Sequence, residues 1–115
     1  MTVQADCLFC KFANGQIPVA KIYESERVFA INDIAPQAPT HILIIPKVHS
    51  ADAAATALEQ AGTLDELFIA VGDIAADLGI SDYRTVFNTG AGAGQSVFHA
   101  HVHLLAGRAL AWPPG

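Results

Sequence analysis

Three of the chain's five histidines fall within His99-Ala100-His101-Val102-His103, where imidazoles alternate strictly with small apolar side chains. Successive side chains of a strand point to opposite faces. His99, His101 and His103 therefore share one face, and Ala100, Val102 and Leu104 the other. The apolar face belongs to a core, so the imidazole face must line something polar. Three readings compete for it. A solvated strand face would ask nothing of the rings, yet three imidazoles in register are hard to explain as surface filler. A single metal ion bound by all three is strained, because alternate residues lie about 6.7 Å apart and the outer pair about 13 Å; two of the three could ligate. Chemistry at phosphorus asks for what a neutral imidazole has near pH 7. It offers a nucleophilic lone pair that needs no metal, beside rings that can hydrogen-bond the charged oxygens under attack.

The segment just upstream, Asn88-Thr89-Gly90-Ala91-Gly92-Ala93-Gly94-Gln95-Ser96, is glycine-rich. It has neither the Gly-Lys-Ser/Thr ending of a P-loop nor the GxGxxG spacing of a dinucleotide fingerprint. Alone it reads as a flexible loop. Placed before three histidines, its glycines let backbone amides approach a phosphate, and Ser96 can add a hydroxyl.

The chain's two cysteines are Cys7 and Cys10. A Cys-x-x-Cys pair supplies two of the four ligands of a tetrahedral zinc, with His49 and His99 as candidates for the others. His49 follows a strand and has no other evident task. A thioredoxin-like redox pair would need a preceding strand, and none is visible. A reduced, metal-free pair packed on the sheet is the remaining alternative. In the zinc reading His99 is structural, the site is closed, and catalysis is left to His101 and His103 without a metal cofactor.

Elements must position these groups. Leu8, Phe9 and Phe12, followed by Gly15, predict a short N-terminal helix over residues 7–13. Val19 to Tyr23 and Arg27 to Asn32 predict a hairpin around Glu24-Ser25-Glu26. Ala35-Pro36-Gln37-Ala38-Pro39 is a loop, because proline lacks a backbone donor. His41 to Ile45 is a nearly continuous apolar strand, which fits burial on both faces. The alanine cluster over residues 51–57 leads into a helical pattern. Leu64, Leu67, Phe68, Val71, Ile74, Ala75 and Leu78 then follow the 3.6-residue period of a long helix, with Thr63 and Glu66 as a capping box and Gly79 as a left-handed stop. Tyr83 to Asn88 and Val97 to Ala106 predict two more strands. The expected architecture is α+β: an antiparallel sheet of about five strands with one long helix and a short N-terminal one.

The 115 residues fit one domain, residues 1–115; half are apolar and the net charge is −5 with six Lys and Arg. That balance argues against nucleic acid and anionic membranes as partners. Residues 1–6 carry no basic-then-apolar signal pattern, and no apolar run approaches the roughly 20 residues of a membrane span, so a cytoplasmic location is expected.

At this point a resemblance becomes specific. Gly94-Gln95-Ser96-Val97-Phe98-His99-Ala100-His101-Val102-His103-Leu104-Leu105 resembles the signature of the histidine-triad (HIT) family. Asp33-Ile34-Ala35-Pro36-Gln37-Ala38-Pro39-Thr40-His41 resembles the nucleotide-side loop of its Hint-like branch. Gly107-Arg108 and Trp112-Pro113-Pro114-Gly115 resemble that branch's tail. The resemblance implies a HIT-like fold, a homodimer with a sheet continuous across the interface, and a purine nucleoside phosphoramidase or related nucleotidyl hydrolase. It implies that His101 attacks the α-phosphorus of a purine nucleotide conjugate, forming a nucleotidyl-histidine that water cleaves to the monophosphate. His103 and Ser96 would contact the phosphate region, with Ser96 near the leaving group. Asn88, Gly94 and Gln95 would hold the loop and ligand, Asp33 would take the ribose hydroxyls, and Ile31 and Ile34 would sandwich the base. His41 would support the triad and Trp112 would contact substrate. A histidine at position 103, where the family's transferases resemble this pattern but carry glutamine, favours transfer to water. Structural roles stand beside these: Ser96 capping the strand entry, Asp33 in a turn, Ile31 and Ile34 in the core, His41 satisfied at a strand start, Trp112 packing at the dimer interface. A nucleotide-binding interaction protein with incidental turnover needs the same pocket and remains the alternative function; a metal-dependent hydrolase using the histidine strand is a third.

Overall fold

The most apolar run of the sequence becomes the centre of the sheet. The computed structural model describes residues 6–115. In chain order the elements are α1 (Leu8–Ala13), β1 (Tyr23–Glu24), β2 (Val28–Asn32), β3 (Thr40–Pro46), α2 (Ala53–Glu59), α3 (Thr63–Asp77), β4 (Tyr83–Val86), a single 3-10 turn (Ala91–Ala93) and β5 (Val102–Ala106). The five strands form one antiparallel sheet in the order β1-β2-β3-β5-β4. The fold is α+β, as expected. The reading of residues 1–6 as free of a targeting signal falls, apart from Asp6, outside the described residues. Among the described residues no helix is long and apolar enough to cross a membrane.

β3 lies between β2 and β5 and is buried on both faces. Ile42 and Ile44 join Val28, Ala30, Val102 and Leu104 under Leu67, Ala70, Val71 and Ile74 of α3. Leu43 and Ile45 join Phe29 and Ile31 on the opposite face, which α1 covers with Phe9. Period-two alternation thus splits one strand between two clusters. The imidazole face is the α1 face.

Several boundaries differ from the sequence reading. β1 is two residues long, not the run from Val19, and the side chain of Val19 packs on the Phe9 cluster. β2 begins at Val28, one residue late, because Ser25 N–H bonds the Val28 carbonyl to close the turn. The alanine-rich stretch forms a separate helix, α2, whose N-cap Asp52 accepts from Ala55 N–H at 2.9 Å. The capping box at Thr63 does not form. Gly62, at φ 85°, is the N-cap of α3, and Glu66 instead accepts from Ser25 Oγ and Arg27 N–H, docking the β1–β2 turn onto α3. Gly79 does take the left-handed conformation, φ 67°. Phe68 and Leu78 keep the helical period yet remain about half exposed on this chain. β4 ends at Val86 and β5 starts at Val102, not at Val97. Residues 97–99 bend and residues 100–101 lie outside the sheet ladder, where Ala100 N–H bonds the Ser50 carbonyl instead. Only His103 of the triad therefore sits in the ladder, opposite Leu43.

Candidate active site and metal centre

Although His99 and His101 precede the strand, both rings still meet α1 on the same side of the sheet as His103. Phe9 meets His99 and His101 edge-on at 5.8 and 5.2 Å between ring centroids, and the rings of His101 and His103 lie 5.0 Å apart. Beside them opens a cavity of about 310 Å³, large enough to begin seating a small ligand. Its walls are Leu8, Phe9 and Phe12 of α1, Val19 ahead of β1, Ile31, Asn32 and Leu43 of the sheet face, and Asp33 and Ile34 of the loop after β2. Ser96 and Val97 close one side, and His101 and His103 form the polar end. A second cavity of about 330 Å³ lies near the end of α3, lined by Ile22, Ile42, Asp77 and Leu78 among others, with no imidazole or thiol.

Hydrogen-bond partners assign the protons on these rings. His101 Nδ1 lies 2.8 Å from the His99 carbonyl oxygen, which can only accept. Nδ1 therefore carries the hydrogen and Nε2 keeps its lone pair. His41 Nδ1 accepts from Gln37 N–H at 3.0 Å, so its proton sits on Nε2. That Nε2–H donates to His103 Nδ1 at 2.9 Å, with Asp33 Oδ2 farther off at 3.4 Å. His103 must then carry its own proton on Nε2. The result is a directional relay, Gln37 N–H to His41 to His103, that ends in an N–H donor on the ring next to His101. Burial lowers the pKa of His101 below the usual 6.5, outweighing the His99 hydrogen bond and the Asp33 charge. Burial, with the neighbouring His101 and His41 rings, brings His103 down to about 4. Both rings are uncharged at neutral pH.

Register explains why His41 stands behind His103. His41 pairs with Leu105, and Leu43 pairs with His103, so the two histidines are diagonal neighbours on one face of adjacent strands.

A second cluster joins Cys7, Cys10, His49 and His99, whose ligand atoms all lie within 4.8 Å of one another. The separations are 3.4 Å from Cys7 Sγ and 3.5 Å from Cys10 Sγ to His99 Nδ1, 3.6 Å from Cys10 Sγ to His49 Nδ1, and 3.2 Å between the two Nδ1 atoms. A tetrahedral zinc with ordinary bond lengths requires edges of about 3.6 Å for sulfur–nitrogen and about 3.3 Å for nitrogen–nitrogen. The donor chemistry fits as well. His99 Nε2–H donates to the Pro46 carbonyl at 2.7 Å, leaving Nδ1 as a lone pair facing the thiols. A carbonyl on the far ring nitrogen is the usual partner of a metal-ligating histidine. Burial keeps His99 neutral, its pKa lowered to about 4. No disulfide joins Cys7 and Cys10. Asp33, His41 and His103 also bring three donor atoms together. There, however, the Gln37 N–H occupies His41 Nδ1, so the inward nitrogen of a neutral His41 carries a proton, not a lone pair.

The remaining sequence candidates separate clearly. Ile31 is buried and Ile34 fully exposed, and both border the cavity. Asp33 Oδ1 accepts from Ala35 N–H in a turn while the residue also lines the cavity. His41 stands behind the wall. Gln95 is buried and its amide is used internally: Nε2 donates to the Ala51 and Val97 carbonyls, and Oε1 accepts from Gly90 N–H. Asn88 supports the same loop beside Gly94, whose φ is +94°. Asn88, Gly94 and Gln95 are not brought to the cavity wall, and neither is Trp112, which is 82 % exposed on this chain. The sequence reading placed Leu8, Phe9, Phe12, Val19 and Leu43 only in elements, never in the site. One signal could have placed the first two. If Cys7 and Cys10 share a metal with His99, the residues between them must lie on the imidazole face.

Comparison with known proteins gives concordant matches. The family model described as the HIT domain matches residues 14–110. A HIT-like protein of Synechococcus elongatus, itself described as uncharacterized, is 47 % identical over 111 residues, 96 % of this chain and 97 % of that protein. The 14 kDa zinc-binding protein of Zea mays is 47 % identical over 114 residues, covering 94 % of this chain and 87 % of its own. The crystal structure of a HIT family hydrolase from Legionella pneumophila superposes with a TM-score of 0.89 at 46 % identity, over 96 % of this chain and 100 % of the other.

Proposed function

The chain belongs to the HIT domain family, and from that premise we propose that it is a hydrolase cleaving nucleoside 5′-phosphoramidates or related nucleotidyl conjugates. The observation that carries this reading is the His101 Nδ1 bond to the His99 carbonyl, which leaves Nε2 unprotonated on a ring that lines the cavity. His101 Nε2 attacks the α-phosphorus, a nitrogen–phosphorus bond forms, and the bond from phosphorus to the leaving group breaks. The leaving nitrogen or oxygen takes a proton delivered through the Ser96 hydroxyl or water. The positive charge that develops on the imidazolium is stabilised by the dipole of the His99 carbonyl, which accepts its Nδ1–H. The His103 Nε2–H stabilises the phosphoryl oxygens, a fixed dipole aimed where negative charge grows. Water then cleaves the nucleotidyl-histidine to the monophosphate and restores neutral His101. In the same reading the apolar wall takes a purine, Asp33 accepts from the ribose hydroxyls, and Trp112 and the β4 edge belong to a homodimer interface.

The test is direct. Mixing with adenosine 5′-phosphoramidate and quenching in base traps an AMP adduct that mass spectrometry maps to His101. AMP binding with neither adduct nor turnover is the outcome that favours a nucleotide-binding interaction protein. An adduct on any other residue removes the mechanism.

The lowered pKa values carry a sign. Because the reactive forms of His101 and His103 are neutral, kcat/KM stays level through neutral pH and falls only on the acid side, below the ordinary imidazole value of 6.5. A pH–rate profile that lost activity already between pH 7 and 8 as acidity rose would contradict the assignment.

The maize relative's description and the matched donor geometry support zinc at Cys7, Cys10, His49 and His99. Held by those four donors, zinc would supply a structural cross-link, with all four of the ligands that a closed structural site takes coming from the protein.

A further inference from the structure

We infer that Arg108 is a positioning residue that, together with Gly107, sets the proton relay through His41 and His103 from outside the cavity. The inference rests on the proposed reaction for its kinetic consequence but not for its structural one.

The relay depends on one N–H. If Gln37 N–H did not face His41 Nδ1, that nitrogen could hold the proton. His41 Nε2 would then become an acceptor, His103 would have to donate from Nδ1, and the Nε2–H offered to phosphate would be lost. Yet Gln37 lies in the loop between β2 and β3, where Pro36 and Pro39 have no N–H to anchor the backbone. Within the loop its side-chain Nε2 bonds only the nearby Ala35 carbonyl, at 3.0 Å.

The outside hold comes from the segment just after β5. Arg108 Nε donates to the Gln37 carbonyl at 2.9 Å, across 71 residues of sequence. Its Nη1 bonds the Ala109 carbonyl at 3.0 Å, which orients the guanidinium. Gly107 lies against the same loop: its φ is +94°, and a Cβ there would come within 2.9 Å of Pro39 Cβ. The tail thus fixes both ends of the Gln37–Pro39 turn, and with it the direction in which Gln37 N–H points. Arg108 is exposed and is not part of the cavity wall, so truncating it removes no substrate contact seen there.

Long-range proton–nitrogen spectra of the ligand-free protein distinguish protonated from bare imidazole nitrogens. The wild type is expected to show His41 and His103 each protonated on Nε2 alone. Arg108→Ala is expected to show averaged nitrogens at both rings with His101 unchanged, and kcat lowered roughly tenfold at nearly constant KM. Arg108→Lys, which keeps one donor, recovers part of both signals, and Gly107→Ala reproduces the averaging by pushing Pro39 away. Tautomers unchanged in Arg108→Ala, even with a lower melting temperature, overturn the inference and leave the arginine a merely structural tie. If the wild type proves unable to turn over phosphoramidates, the proposed reaction fails while the spectra still decide the clamp.

Discussion

His101→Ala is expected to reduce turnover of an adenosine phosphoramidate by roughly 10⁴-fold or more while AMP still binds. The size follows from what is removed. Without the ring there is no covalent step, and water must attack phosphorus with only the remaining donors to help. Loss of a nucleophile that acts with its neighbours as one unit costs on this scale, because the other members cannot work without it. Binding should survive, since His101 contributes one edge of a cavity otherwise walled by Phe9, Phe12, Ile31 and Leu43. Isothermal titration with AMP, run beside single-turnover kinetics, separates the two. A variant that keeps more than about a tenth of the wild-type rate would show that the covalent route through this ring is not used.

The second large effect is on stability. Removing zinc, or replacing Cys7 by alanine, is expected to destabilise the fold by about 4 kcal/mol when free metal exceeds its dissociation constant a thousandfold. For a domain of this size that is a drop in Tm on the order of 10–20 °C. The reason is that α1 depends on tertiary ties, its Phe9 contacts and the four donors, and not on itself. It is six residues long, too short to persist by its own hydrogen bonds, and its N-cap is Cys7, whose sulfur accepts from Cys10 N–H at 3.4 Å. The four donors tie this helix to the segment after β3 and to the segment before β5. Leu8, Phe9 and Phe12 form one wall of the cavity, so AMP affinity should fall with the metal, and His101, bonded to the carbonyl of a ligating residue, loses its fixed orientation. Calorimetry with and without a chelator, metal content by elemental analysis, and AMP titration of the chelated protein check each link. Metal-free protein with an unaltered Tm would remove the zinc assignment.

Much of the fold was legible in the sequence because it follows from local periodicity. The nearly continuous apolar run of His41 to Ile45 announced a strand buried on both faces, and the 3.6-residue spacing announced α3. The failures were of two kinds. Boundaries moved where a loop backbone found a partner outside the sheet, as Ala100 N–H did with the Ser50 carbonyl. The expected cap at Thr63 was displaced because Glu66 was drawn to Ser25 and Arg27 of a distant hairpin, a contact that no local pattern encodes.

What the sequence determined by itself was the inventory: three imidazoles on one face, two thiols at ligand spacing, a glycine-rich approach, and a family resemblance that covers nearly the whole chain. What only the tertiary structure decided was the direction of each proton and the company of each ring. The imidazoles of His99, His101 and His103 are chemically identical in the sequence. The Pro46 carbonyl leaves His99 with a bare Nδ1, the His99 carbonyl leaves His101 with a bare Nε2, and His41 leaves His103 with its proton on Nε2. A tautomer is chosen by whichever acceptor or donor the fold places against the ring, and those partners come mostly from segments far away along the chain.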